Sequence, residues 1–145
     1  MYIRKEFKKM TFKERFFLNF IKDSRWHYLT DGLLVTLEVT FFAVLLGIVI
    51  GVIVAAIRST HDKIIEHTRS KFGKLILKFF NTIANIYLTV IRGTPVTVQL
   101  MIAYYIIFVA SNNKVLVAVL AFGINSGAYV AEIVRSGIMS IDNGQ

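Results

Sequence analysis

Three long stretches of the chain carry almost no charge. Residues 33–57 hold one, Glu38, near their start; residues 93–113 hold none, and 96–110 are apolar apart from Thr97 and Gln99; residues 115–131 again hold none. A helix rises about 1.5 Å per residue, so about 20 residues cross a hydrocarbon core of about 30 Å. The first stretch spans with residues to spare. The third spans if its helix runs on through Glu132 towards Ser136, and the second only if its helix starts deeper in the interface or passes Ser111. The pattern predicts an all-α transmembrane helix bundle with three spans, at about 33–57, 94–112 and 115–136, and a polar loop over 58–82.

Small residues recur within two of these spans. Ala43, Gly47, Gly51 and Ala55 fall every fourth position in the first, and Gly123, Gly127 and Ala131 do so in the third. Such stripes let backbones approach closely, and in lipid it is packing that drives helix association. The second span opens instead on a break, Arg92-Gly93-Thr94-Pro95. Gly93 is suited to end one helix, Thr94 to cap the next and Pro95 to occupy its first turn. Irregular backbone at membrane depth is tolerated where protein or a water-filled cavity covers it, and broken helices beside a cavity are a recurring device of transporters.

Composition agrees with the pattern: 55% of residues are hydrophobic, mean hydropathy is +0.60 and the 18% that are charged are clustered. The net charge of +8 does not point to nucleic acid, because the bases concentrate beside the spans. Eight lie in residues 1–31 and six in 58–82. In the first segment Phe12, Phe16, Phe17, Phe20 and Ile21 recur at helical spacing among Lys13, Arg15 and Lys22. That predicts a basic amphipathic helix in the headgroup region, with Trp26 and Tyr28 as interfacial anchors and 32–145 as the transmembrane part. The first 31 residues do not read as a cleavable leader, since the apolar run after them exceeds a signal core. The positive-inside rule is silent on orientation. Three spans put nine Lys/Arg on the side of the first segment and the 111–114 turn, and eight on the other.

Polar residues in or beside the spans are the candidates for function. Arg92 can face a substrate carboxylate or snorkel to phosphates, and its place before the break favours a structural role. Gln99, one turn into the span, can serve a substrate or a neighbouring helix. Asn125 and Ser126 lie midway along the third span, where an unpaired polar group is costly, and are candidates for a pathway lining or for helix–helix hydrogen bonds. Glu132 and Arg135, three apart, are spaced for a local ion pair. No metal-ligand constellation surrounds His27, His61 or His67, and no G-x-x-x-x-G-K-[ST] phosphate loop occurs. The chain has no cysteine, which removes disulfides and thiol chemistry. Nothing here reads as an enzyme.

Four motifs stand in order along the chain: Gly32-Leu33-Leu34-Val35-Thr36-Leu37; Arg92-Gly93-Thr94-Pro95 with Gln99-Leu100; the run from Ser126-Gly127-Ala128-Tyr129 through Ala131-Glu132-Ile133-Val134-Arg135-Ser136-Gly137-Ile138; and Gly144-Gln145. Their order and spacing resemble the polar amino-acid branch of the binding-protein-dependent ABC importer permeases, over about residues 29–145. The resemblance implies the type I importer permease fold, a five-span bundle with its first terminus outside. Residues 58–82 and the segment from Arg135 would be cytoplasmic and 111–114 external.

It also implies partners: a second permease subunit, two ABC ATPase subunits and an extracytoplasmic amino-acid-binding protein, in a bacterial cytoplasmic (inner) membrane. No cofactor is expected in this chain, ATP being used by the ATPase. Glu132, Arg135, Ser136, Gly137, Gly144 and Gln145 would lead into a coupling loop that begins where this sequence stops, so the resemblance implies the front part of a permease, lacking about two further spans. The other readings are a small membrane adaptor or relic fragment packed against another integral protein, and a channel-like module. The motifs do not select one amino acid.

Overall fold

Polar side chains set the ends of the helices. The computed structural model describes residues 11–64 and 70–141. Helix α1 covers Phe12–Phe16, and the Thr11 amide donates to the Glu14 carboxylate (2.8 Å) across its first turn. A π turn, Phe17–Ile21, continues it, and Phe16 stacks on Phe20. The chain then bends at Asp23 and Ser24, both at positive φ (59° and 54°). Helix α2, Trp26–Ile64, runs 39 residues. Ser70 caps α3, Lys71–Gly93, by accepting from the Gly73 amide at 3.3 Å. Helix α4, Val96–Ile102, widens into a second π turn, Ala103–Ile107. Asn113 caps α5, Lys114–Met139, by accepting from the Leu116 amide at 2.9 Å. Among the described residues there is no strand. The chain forms two compact units, Met1–Glu38 and Val39–Gln145, the division falling inside α2.

Several expected boundaries move. α2 starts at Trp26, so the anchor positions Trp26 and Tyr28, and the expected division at 31/32, lie within the helix. With 39 residues, α2 has about twice the number that a hydrocarbon core of about 30 Å needs. The largest correction is α3, which occupies most of the expected 58–82 loop and runs on to the break. Its apolar positions, among them Ile76, Phe80, Ile83, Ala84, Tyr87, Leu88 and Ile91, keep a helical period, but Lys71, Lys74, Lys78, Asn81, Thr82, Asn85 and Thr89 interleave them. An amphipathic helix of this kind has no unbroken apolar run. Conversely, the expected 94–112 span is a shorter apolar helix over Val96–Ile107. Among the described residues, the helices long and apolar enough to cross a membrane are α2, α3 and α5.

Packing in the second unit is turned inside out relative to a water-soluble core. Apart from Leu88 and Val117, buried positions are small, among them Ala43, Gly47, Gly51, Ala55 and Ser59 on α2, Gly123, Gly127, Ala128 and Ala131 on α5, and Ala84 on α3. Phe41, Phe42, Leu45, Ile53 and Ile133 point outward. This is the arrangement expected where lipid, not water, is the solvent. The α2–α5 contact depends on missing side chains. A Cβ on Gly47 would stand 2.7 Å from Ser126 Cβ, one on Gly51 2.5 Å from Val130 Cγ1, and one on Gly123 2.6 Å from Leu46 Cδ2. The paired residues ascend together, 46 with 123, 47 with 126 and 51 with 130, so α2 and α5 run in the same direction. Leu88 of α3 packs on Ala128 and Ala131, with Val54 beside them. Helix α4 folds back along α5, with Leu100, Tyr104 and Phe108 around Ala103, Val117 and Ala121.

Candidate functional site

The break between α3 and α4 is closed by side chains. Gly93 is the last residue of α3, and Thr94 (ψ 131°) and Pro95 (φ −57°, ψ 137°) are extended. Helical hydrogen bonds run from an amide to the carbonyl four residues earlier, so Pro95, which has no N–H, cannot serve Ile91. The Gln99 side chain does so instead. Its Nε2 donates to the Ile91 carbonyl (2.7 Å) and to the Thr94 carbonyl (2.8 Å). The other end of the same amide, Oε1, accepts from Asn125 Nδ2 on α5 at 3.3 Å. The expectation that Thr94 caps α4, with Pro95 in its first turn, does not hold. Pro95 occupies the cap position, its carbonyl accepting from the Val98 and Gln99 amides, and the Thr94 hydroxyl turns back to the Val90 carbonyl at 2.8 Å. A threonine can always satisfy a carbonyl four residues back in its own helix, and here that carbonyl lies at a helix end.

A cavity of about 300 Å³ lies beside the break, between the end of α3, α4 and α5. Thr94 and Gln99 are the polar side chains on a wall otherwise formed by residues such as Ile91, Ala103, Phe108 and Ile124. Asn125 and Ser126 do not form one polar patch. Successive residues on a helix face different ways, and here Asn125 meets Gln99 of α4 while Ser126 lies against Gly47 of α2. Tyr87 adds another link between helices, its hydroxyl donating to the Ile124 carbonyl at 2.6 Å. Gly127 makes room for it, since a Cβ there would be 2.9 Å from that hydroxyl.

A second polar cluster gathers at the C-terminal ends of α2, α3 and α5. Glu132 and Arg135 are not paired with each other. Glu132 Oε1 lies 3.1 Å from Arg58 Nη1 and 3.3 Å from Arg92 Nη1, and Arg135 Nε donates to Asp62 Oδ2 at 3.1 Å. The local pair loses because this end of α5 packs against α2 and α3, which offer cross-helix partners. Arg92 therefore faces Glu132. Asp62 lies beyond the apolar segment of α2. Partial burial raises its pKa, but hydrogen bonds from Arg135 and His61 and the charges of Arg135 and Arg58 outweigh this and hold the carboxyl below its ordinary value. Lys63 Nζ reaches the Ile138 carbonyl at 3.4 Å. The last turn of α5 closes with Ser140 donating to the Ser136 and Gly137 carbonyls. Gly144 and Gln145 lie outside the described residues, as do residues 1–10 of the basic segment.

Sequence reasoning missed Arg58, Asp62 and Tyr87. A signal existed for the first: Arg58 is the first charge after residues 39–57, as Glu132 is after 115–131. Tyr87 carried none, being one aromatic residue among many.

The chain matches known proteins over most of its length. It is 38% identical over 122 residues to a Rickettsia prowazekii protein named for glutamine transport, the permease GlnP, an alignment covering 81% of this chain and 49% of that protein. It is 31% identical over 121 residues to the arginine transport system permease ArtQ of Bacillus subtilis, covering 81% and 48%. Among solved structures, one described as an amino acid ABC transporter with histidines aligns with a TM-score of 0.56 and 37% identity, over 79% of this chain and 48% of that one. No family model matches the chain. The chain spans about half the length of the curated relatives it matches.

Proposed function

This chain is a homologue of the permeases of amino-acid ABC transporters, and on that premise we propose that it forms part of the translocation pathway of a bacterial importer for polar amino acids. The observation that carries the reading is the break at Thr94–Pro95, closed by Gln99 and tied to α5 through Asn125 beside an apolar cavity. A simple anchor has no use for a helix interrupted in this way. A pathway does, because a broken helix places backbone polar groups next to a space that a small solute can enter. Relatives of similar identity are named for glutamine and for arginine, so the substrate class is polar amino acids and not one member of it.

The remaining assignments follow the same reading. The chain works with ABC ATPase subunits, a second permease subunit and an extracytoplasmic amino-acid-binding protein, in the cytoplasmic membrane. It carries no catalytic group or cofactor, and ATP is hydrolysed by the ATPase. The end bearing Arg58, Asp62, Glu132 and Arg135 faces the cytoplasm, towards the ATPase. Purification of the tagged chain from native membranes tests this. An ABC ATPase should co-purify, and its ATP hydrolysis should rise when an amino-acid-loaded binding protein is added. A chain recovered with an unrelated integral protein and no ATPase refutes the reading and favours an adaptor.

A further inference from the structure

Three uncharged segments end at one point. Arg58, Arg92 and Glu132 are each the first charged residue after an uncharged run on its helix, residues 39–57, 79–91 and 115–131. Their side chains meet on a single oxygen, Glu132 Oε1, at 3.1 Å from Arg58 and 3.3 Å from Arg92. One carboxylate thus faces two guanidiniums. The neighbouring Arg135–Asp62 pair is balanced and supplies no further negative charge, and Lys63 adds a positive one at the same end. Among the described residues, the cluster is left net positive where the apolar surface stops.

The two arginines differ in access. The Arg58 side chain is 18% exposed, with its Nε buried and without a hydrogen-bond partner, whereas that of Arg92 is 46% exposed. A guanidinium in surplus beside hydrocarbon is costly unless an anion joins it. The planar fork of arginine suits phosphate oxygens, and phospholipid phosphates sit where apolar segments end. We propose that Arg92 and Arg58 form a binding site for the phosphate of an anionic phospholipid. The headgroup enters from the exposed side of Arg92, and Glu132 offsets one of the two guanidiniums, leaving beside Arg92 a positive charge that the phosphate of an anionic lipid partners. A zwitterionic headgroup brings its own cation and does not balance the site.

The test is native mass spectrometry of the whole chain in nonionic detergent, titrated with phosphatidylglycerol or phosphatidylcholine. The first phosphatidylglycerol should bind more tightly than phosphatidylcholine. Arg92→Gln should weaken it about fivefold, the effect of about one basic residue at a membrane surface. Lys74→Gln, an equal loss of charge on α3 outside the cluster, should leave it unchanged. Glu132→Gln should tighten it, a gain that misfolding cannot produce. Equal losses for Arg92→Gln and Lys74→Gln would mean diffuse attraction to a basic protein and overturn the site. So would an unchanged or weakened affinity in Glu132→Gln. Displacement of the lipid by inorganic phosphate alone would make this a soluble-anion site and overturn the lipid assignment.

Discussion

Replacing Gln99 by leucine gives an apolar side chain of similar size and removes every hydrogen bond that the Gln99 amide makes at the break. Two donations disappear, to the Ile91 and Thr94 carbonyls, and the amide of Asn125 loses its acceptor. Ile91 has no substitute, because residue 95 is proline. A hydrogen bond is worth about 0.5–1.5 kcal/mol net, polar contacts inside membrane proteins average about 0.6 kcal/mol, and a buried group left unpaired costs about 1–3 kcal/mol. With three interactions lost and one carbonyl stranded, Gln99→Leu should destabilise by about 2–4 kcal/mol. Asn125→Leu removes one long bond and should cost about 0.6 kcal/mol. The assay is reversible unfolding in mixed micelles followed by circular dichroism, with the double variant completing a cycle whose coupling should also be about 0.6 kcal/mol. A Gln99→Leu chain as stable as the wild type, or no more destabilised than Asn125→Leu, would show that the break does not depend on this side chain.

Other substitutions separate close contact from open space. Gly51→Ala drives a Cβ into Val130 and to 3.0 Å from the Ala131 amide nitrogen, which is backbone and cannot swing away, so it should cost about 1–3 kcal/mol in the same unfolding assay. Gly32→Ala meets nothing within 4 Å and should instead stabilise α2 by up to about 1 kcal/mol. Tyr87→Phe removes a bond to a carbonyl inside a helix, which is not stranded by the loss, and should cost about 0.6 kcal/mol. The Asp62 carboxyl is held below its ordinary value in the folded chain, so its contribution to stability is complete above the unfolded value of about 3.9 and is lost as pH falls through the lower folded one. Asp62→Asn should flatten the acid limb of a stability–pH curve and lower its neutral plateau by the contribution the carboxylate makes there.

What the sequence disclosed, and what it hid, follows from the solvent of this protein. Where lipid surrounds helices, residue size decides which faces touch, and size is written directly in the residue type. The four-residue recurrence of Ala43, Gly47, Gly51 and Ala55 marks a buried stripe, and it continues to Ser59. Proline and glycine located the break at 93–95 for an equally local reason. Helix α3 was hidden because its apolar face is interleaved with lysine, asparagine and threonine, so that a search for uncharged runs sees only its second half. The ion pairs were hidden for a different reason. Glu132 and Arg135 share a face of α5 by spacing, yet which partner each takes depends on the helices packed against that face. Gln99 was legible as a polar residue in an apolar helix, but its two acceptors are carbonyls, which one-letter sequence does not display. Its link to Asn125, 26 residues away, required the fold of α4 back along α5.

The measurement that bears most directly on the account is uptake of labelled amino acids by cells lacking this protein, across a panel that includes glutamine and arginine. ATP-dependent uptake of at least one polar amino acid should fall on deletion, return with the wild-type gene and return only in part with Gln99→Leu at equal membrane abundance. Unchanged uptake of every member of the panel in the deletion strain would contradict the claim that this chain belongs to a working import pathway.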